Sequence, residues 1–538
     1  MRRPRVAALL LFLCLAVLET WPLAANPAHL SRNDNADTVL NEWILAWVAH
    51  QAPRHPLQLF DANIFYPEPR TLAFSESLIT QGVMGIPLFA LGASPVLAYN
   101  LLLILGFTLT GWAMCLVVAR WTGDWIAGIG AGTLMAFNAH TLTRLPHMQA
   151  QHVEFLPLAL LALDALLREP RVRHAVWLAV WFTLQSLASN YLMVFTATAL
   201  VVATLVRPED WWGGRRAWTL APYAALAAGL AGLALTPFLL PYLEAYRDQG
   251  LVRSLAEVRQ FSASWRDYLT TPARFNYWAW SHRFFSSTGL FPGFVGLALV
   301  GVALWQGVGL RDRRARMCLA FGIAGVVLSF GPAVPGYALL YRWLPPLQGI
   351  RGAARFGYLG LVAVAVVGGF GLAALRRRIP GRRLRAGVSM AVLALLVLEP
   401  LSIPIGYARF DGIPPIYAMI RRVPGAVAVE LPFYPPQDVF YNAGAVLDST
   451  LNWKPLLNGY SGFVPASYSR HYEELRSFPS PESIAALRAA GVTHIFVHFT
   501  QYSDQVAQTI VRSPALQEVA ADQTLVLYRL RPAATARH

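Results

Sequence analysis

An apolar segment over residues 7–25 is followed by Asn26-Pro27-Ala28-His29-Leu30-Ser31, then Arg32-Asn33-Asp34-Asn35-Ala36-Asp37, then Leu40-Asn41-Glu42-Trp43. An acidic cluster thus sits directly after a candidate first transmembrane helix, with an aromatic amphipathic stretch behind it. Carboxylates just outside a bilayer are cheaply solvated, yet they stand where a lipid-linked substrate presents its head group. That placement turns a chain that otherwise reads almost entirely as membrane into a candidate enzyme.

The 538 residues are 56% hydrophobic and only 14% charged, against about 25% charged in an ordinary soluble protein. This is the composition of an integral membrane protein. The net charge is +15, carried by arginine with a single lysine, Lys454. A nucleic-acid partner is one reading of such a balance, but the arginines fall between apolar spans, as the membrane reading predicts. Cys14, Cys115 and Cys318 each lie inside an apolar run, without metal-like spacing or a disulfide partner.

Apolar spans of roughly the 20 residues needed to cross a bilayer occur near 7–25, 95–119, 124–140, 150–167, 174–189, 190–206, 217–240, 289–309, 315–331, 353–375 and 385–405. About eleven transmembrane helices are expected. Arg2, Arg3 and Arg5, then Arg120, then Arg168 to Arg173, Arg207 to Arg216, Arg311 to Arg316 and the run from Arg376 to Arg385 occupy alternate connections. The positive-inside rule places these, and the amino terminus, in the cytoplasm. Loops 26–94 and 241–288 and everything after 405 are then outside. The first span also resembles a cleaved signal peptide; a retained helix is the favoured reading, and the acidic loop is external either way.

The division expected is a transmembrane module, 1–405, whose outer loop 26–94 is catalytic, and an extracytoplasmic α/β domain, 406–538. In the latter, Ala426–Leu431, Thr493–Val497 and Thr524–Leu530 read as strands. Pro481–Ala490 reads as a helix capped by Ser480.

Several polar constellations could carry chemistry. Leu40, Trp43, Ile44, Trp47 and Val48 recur at helical spacing, a face suited to the membrane interface. Asp37 and Asn41, four apart, share another face of that helix. Asp34 or Asp37 could equally be a helix cap. Phe60 to Pro69 reads as a rigid turn, with Glu68 and Glu76 as secondary acid candidates. The turn around 138–152 carries Asn138, His140, Arg144, His147, Gln149 and His152, then Glu154; ionisable residues at a membrane boundary tend to mark function. Its three histidines and Glu154 leave a divalent metal open, although their spacing matches no firm motif. Arg351 and Arg355, at an external helix start, offer guanidinium forks suited to a lipid phosphate, or they merely snorkel. Arg266-Asp267-Tyr268 and the run Phe275, Tyr277, Trp278, Trp280, His282 could stack on sugars or line the interface.

Asp37-x-x-x-Asn41-x-Trp43, Phe60-Asp61-Ala62-Asn63-Ile64-Phe65-Tyr66-Pro67, Ser75-Glu76, His147-x-Gln149, Leu344-Pro345-Pro346 with Arg351 to Phe356, and Asn458-Gly459-Tyr460-Ser461-Gly462 together resemble the multipass bacterial group of the GT-C glycosyltransferase superfamily. The resemblance covers most of the chain and implies an all-α polytopic fold, transfer from a polyprenyl-phosphate-linked sugar, and an essential acid in the first outer loop. Asp37 matches that acid; Ala36 stands where glycine is expected. On this resemblance Asp37 is the base, Arg355 and Arg351 hold the phosphate, and Asn41, Glu76, His147 and Gln149 bind or position substrate. Asp34, Glu68 and His152 are secondary, with Asp34 as the cap. A single displacement by an acceptor hydroxyl implies inversion at the anomeric carbon. The implied partners are the polyprenyl-linked sugar, a lipid, glycan or protein acceptor and the bilayer, with no nucleic acid; no cofactor is firmly implied. The expected location is the bacterial inner membrane.

Two other classes compete. A lipid or glycan transporter should show inverted repeats and broken midplane helices, and the sequence displays neither. A non-catalytic scaffold would share the composition without needing a lipid-sized groove.

Overall fold

The computed structural model describes residues 2–250, 253–285 and 288–532, without the side chains of Arg2, Pro345 and Pro346. The last six residues of the expected extracytoplasmic domain and two prolines of the Leu344-Pro345-Pro346 motif therefore lie outside it in whole or in part. The chain is mostly helical, with two small sheets.

Numbering the longer helices in order, the first part holds α1 (Arg2–Glu19), α2 (Ala36–Gln51), α3 (Ile79–Ala90), α4 (Pro95–Thr122), α5 (Trp125–Ala136), α6 (Phe155–Arg168), α7 (Val172–Ala188), α8 (Asn190–Leu205), α9 (Arg215–Gln249), α10 (Phe294–Trp305), α11 (Arg313–Ser329), α12 (Tyr358–Arg378) and α13 (Arg382–Leu398). Every apolar segment marked in the sequence contains a helix, although residues 289–293 and 399–405 of two of them are not helical. Among the described residues, four helical stretches, Pro95–Thr122, Met148–Arg168, Arg215–Gln249 and Ala353–Arg378, are long and apolar enough to cross a membrane; the structure does not establish eleven crossings. Helix α9 runs through Pro241 to Gln249, so the loop expected from 241 begins about two and a half turns later.

Close approach of the helices depends on small residues. A Cβ at Gly132 in α5 would stand 2.4 Å from both the Gly111 carbonyl of α4 and the Phe12 ring of α1, and Phe12 is fully buried there.

At one end of the bundle the arginine-bearing connections converge. Arg207, with no exposed surface, pairs with Asp164 at 2.8 Å and Asp210 at 2.6 Å. Arg314 reaches Asp164 and the Trp121 carbonyl. Arg376 reaches Asp124 at 2.7 Å. These bonds tie the ends of α4, α6, α8, α11 and α12 together, so the alternation read from the sequence is a real clustering.

At the opposite end α2 lies inside the protein. Thr38 to Ala49 are all buried, and Trp43 and Trp47 stack on each other, with Trp47 edge-on to Trp453 from the carboxy-terminal part. The expectation of an aromatic face resting in the membrane interface is therefore overturned. The face is apolar because α3, α4 and the carboxy-terminal domain cover it.

That domain is built on a sheet of β3 (Ala428–Leu431), β4 (His494–His498), β5 (Leu516–Ala521) and β6 (Leu525–Leu530), ordered β3-β4-β6-β5, with β3 and β4 parallel and the rest antiparallel. Three of these strands were legible from the sequence; β5 is an edge strand with mostly exposed side chains and lacks a clean apolar alternation. Ser480 caps Pro481–Ala489, its hydroxyl accepting from Ser483 N at 3.2 Å. A second sheet pairs β1 (Leu30–Ser31) with β2 (Ala408–Arg409). The aromatic stretch 60–69 straps the two parts together: Leu456 N donates to Asn63 O, Tyr66 N to Leu456 O, and Phe65 N to Asn458 O, at 2.7 to 3.0 Å.

Candidate active site

The site is assembled at the end of the bundle where α2 begins. Asn35 caps that helix, its side chain accepting from Asp37 N at 2.9 Å from an extended backbone. This corrects the expectation that Asp34 is the cap. Asp34 is exposed and pairs with Arg32 at 3.1 Å, and an ionised cap is unnecessary once Asn35 supplies the acceptor.

With its amide bonded to the cap, Asp37 projects from the first helical turn. Its Oδ1 accepts from the Tyr460 hydroxyl at 2.6 Å, and its Oδ2 lies 3.2 Å from His147 Nε2. One turn on, Asn41 donates to the Pro146 carbonyl at 2.9 Å. The Asp37–Asn41 face thus docks against the turn that carries His147 and Gln149. The Asp37 side chain remains 42% exposed, so a substrate can still reach it. Partial burial opposes its ionisation, but the hydrogen bonds from His147 and Tyr460 and the Arg355 charge outweigh burial and hold the carboxyl well below the usual carboxylate range. Burial, with the Arg355 and Arg144 charges, pushes His147 down against the opposing hydrogen bond to Asp37. His147 Nε2 is thus placed to donate to Asp37 Oδ2.

Beside this pair is a small cavity lined by Glu76, His140, Arg144, His147, Gln149 and Arg355, with Tyr191 and Tyr358 among its aromatic walls. Glu76 organises it. Its carboxylate accepts from Gln149 Nε2 at 2.5 Å, Ser189 Oγ at 2.6 Å and Tyr191 N at 3.2 Å, joining the first loop to both following turns. The Arg355 guanidinium lies 4.4 Å over the Tyr191 ring, and the Tyr191 hydroxyl accepts from Gly352 N at 3.2 Å. Arg144 donates to Thr288 at 2.8 Å, and burial followed by the Arg355 charge lowers it to about 10. Arg351 lies over the Phe261 ring, 4.0 Å from Glu257. Among the described residues, His147 Nδ1, Gln149 Oε1 and both His140 nitrogens are buried without a hydrogen-bond partner.

Asp37, Asn41, Glu76, His147, Gln149 and Arg355 are thus brought together, with Arg351 at the rim. Three expected candidates are not. Glu68 accepts from Gln249 at the end of α9. His152 has no exposed surface and is held between Glu154 and the Leu102 carbonyl. Asp34 stays at the surface. The histidines of the 138–152 turn are split between Tyr358, Asp37 and Glu154, and no three His, Cys, Asp or Glu among the described residues are grouped to hold a metal. The 275–282 aromatics stand off the cavity: Phe275 and Trp278 are exposed, and Trp280 packs on Phe291 and Phe294. Tyr191 carried no sequence signal, being one aromatic in an apolar run.

No family model and no curated protein matches the sequence. Solved structures do match. The archaeal oligosaccharyltransferase AglB from Archaeoglobus fulgidus, in complex with an inhibitory peptide and a dolichol-phosphate, aligns with 92% of this chain and 69% of its own at 12% identity and a TM-score of 0.51. The same oligosaccharyltransferase tethered to an acceptor peptide containing the NVT sequon gives 93%, 70%, 11% and 0.54. ArnT from Cupriavidus metallidurans bound to undecaprenyl phosphate is matched over 97% of both chains, with 14% identity and a TM-score of 0.48. The AglB likeness is one of fold alone.

Proposed function

We propose that the protein is a membrane glycosyltransferase that moves a sugar from a polyprenyl-phosphate donor to an envelope acceptor. In this reading about eleven helices cross the bacterial inner membrane, the arginine-rich end is cytoplasmic, and the site and the carboxy-terminal domain are on the outer face. The observation that carries the proposal is an accessible Asp37 bonded to His147, which lines one cavity together with the Arg355 and Arg144 guanidinium groups. AglB supplies the precedent of a dolichol-phosphate and a peptide bound by this fold.

The chemistry needs little more. The acceptor hydroxyl oxygen forms a bond to the anomeric carbon, the bond from that carbon to the phosphate oxygen breaks, and the electron pair leaves with a phosphate that is already anionic. Arg355, with Arg351 at the rim, stabilises the charge gained by the phosphate. The acceptor proton passes to Asp37, an adequate base when the leaving bond is largely broken before the hydroxyl is deprotonated. His147, Gln149, Asn41 and Glu76 fix the geometry. One displacement inverts the anomeric carbon. Mass spectrometry of envelope lipids, glycans and glycoproteins in a deletion strain tests the reading: one glycan should disappear and return on complementation, and an unaltered envelope would refute it.

A further inference from the structure

The loop Asn458-Gly459-Tyr460-Ser461-Gly462 belongs to the carboxy-terminal domain, yet its tip ends on the catalytic carboxylate. Its root is fixed in that domain's sheet. Asn458 accepts from Glu430 N at 2.7 Å and donates to Glu430 O at 2.8 Å, completing the edge of β3. Its flanks are wedged against the first loop. A Cβ at Gly459 would stand 2.5 Å from Phe65 ring carbons. Phe65 cannot yield, because it is 1% exposed and packed between Phe74 and Tyr468. Gly462 lies against the Phe74 carbonyl, and its own carbonyl accepts from Arg253 at 2.8 Å. Held at both ends, the loop delivers the Tyr460 hydroxyl to Asp37 Oδ1 at 2.6 Å.

We infer that Tyr460 is a positioning residue whose hydroxyl stands in for the acceptor hydroxyl, occupying Asp37 Oδ1 until the acceptor displaces it. The acceptor half of this statement rests on the glycosyltransferase reading above. The remainder follows from geometry. Of the two Asp37 oxygens, His147 serves Oδ2, which leaves Oδ1, the one Tyr460 occupies, as the oxygen for an incoming hydroxyl. A carboxylate oxygen occupied in this way is not free to activate stray water beside a reactive donor, so the arrangement favours transfer over hydrolysis.

The test uses the full-length protein in nanodiscs and needs neither donor nor acceptor. A water-soluble carbodiimide with glycine ethyl ester is applied at mildly acidic pH, and labelling is read residue by residue by peptide mass spectrometry. Tyr460→Phe removes one charge-assisted hydrogen bond, so Asp37 should label faster by up to about tenfold, while Asp34 is unchanged. Gly459→Ala, which keeps the hydroxyl but unseats the loop, should do the same. In the complemented deletion strain Tyr460→Phe should lower the glycan only in part, well short of the loss in Asp37→Asn. Unchanged Asp37 labelling in both variants overturns the inference and leaves the glycosyltransferase reading standing. Faster labelling with loss of the glycan in Tyr460→Phe also overturns it, because the hydroxyl would then belong to the chemistry itself.

Discussion

Asp37 and Tyr460 are 423 residues apart in the chain and 2.6 Å apart in the fold. The catalytic carboxylate proposed for the bundle is therefore completed by a side chain from the carboxy-terminal domain. The two parts of the protein meet at Asp37 as well as at the strap of residues 63–66.

Arg355 stacks on Tyr191 with no carboxylate in ion-pair range among the described residues. A charged hydrogen bond is worth about 1.5–3 kcal/mol, so Arg355→Gln should weaken binding of a polyprenyl phosphate roughly 10- to 100-fold. Arg355→Lys should recover only part of this, because an ammonium neither forks nor stacks as a guanidinium does. Binding measured in nanodiscs decides; equal affinity for all three proteins would remove Arg355 from the phosphate site.

Glu76 accepts three hydrogen bonds from two separate turns. Glu76→Gln turns one acceptor oxygen into a donor facing other donors, and should lower stability by about 1–3 kcal/mol. Thermal unfolding followed by tryptophan fluorescence should show the fall. An unshifted transition would mean that the three turns hold one another without this carboxylate.

Glu42, on the buried side of α2, accepts from Ser31 at 2.8 Å. Burial outweighs that bond and the contribution of Asn33, and pushes its carboxyl up to about 8. Because the folded value lies above the unfolded one, this group's contribution to stability is complete below about pH 4.5 and is lost as pH rises towards 8. Glu42→Gln keeps the bond from Ser31, lets Asn33 accept, and should flatten that stretch of the stability–pH curve. A variant with the wild-type slope would place the titration elsewhere.

At the other end of the bundle, Arg207→Met should leave Asp164 and Asp210 as poorly compensated buried charges. The expected cost is about 3–5 kcal/mol, seen as a collapse of folded protein in membranes with no change designed into the site. Normal yield and unfolding temperature would show that Arg313 and Arg314 alone suffice for the two aspartates.

The sequence carried the helical segments, the clustering of arginines at one end and most of the cavity, because apolar length and charge placement are local properties. It misassigned the Trp43–Trp47 face, since periodicity reveals that a face is covered and not whether lipid or protein covers it. Asp34 looked as good a cap as Asn35; only backbone geometry separates neighbours of equal propensity. Tyr191 and the hold of Tyr460 on Asp37 were invisible for a different reason. Both are contacts between distant segments, and no spacing within a segment encodes them.

The central claim is that Asp37 does the chemistry. Asp37→Asn is nearly isosteric: its oxygen still accepts from Tyr460 and its amide nitrogen can donate to Nε2 of the other His147 tautomer, so expression and thermal unfolding should stay close to wild type. Formation of the glycan missing from the deletion strain, quantified by mass spectrometry after complementation, should fall at least about 100-fold. Wild-type glycan levels in a folded Asp37→Asn protein would contradict the account.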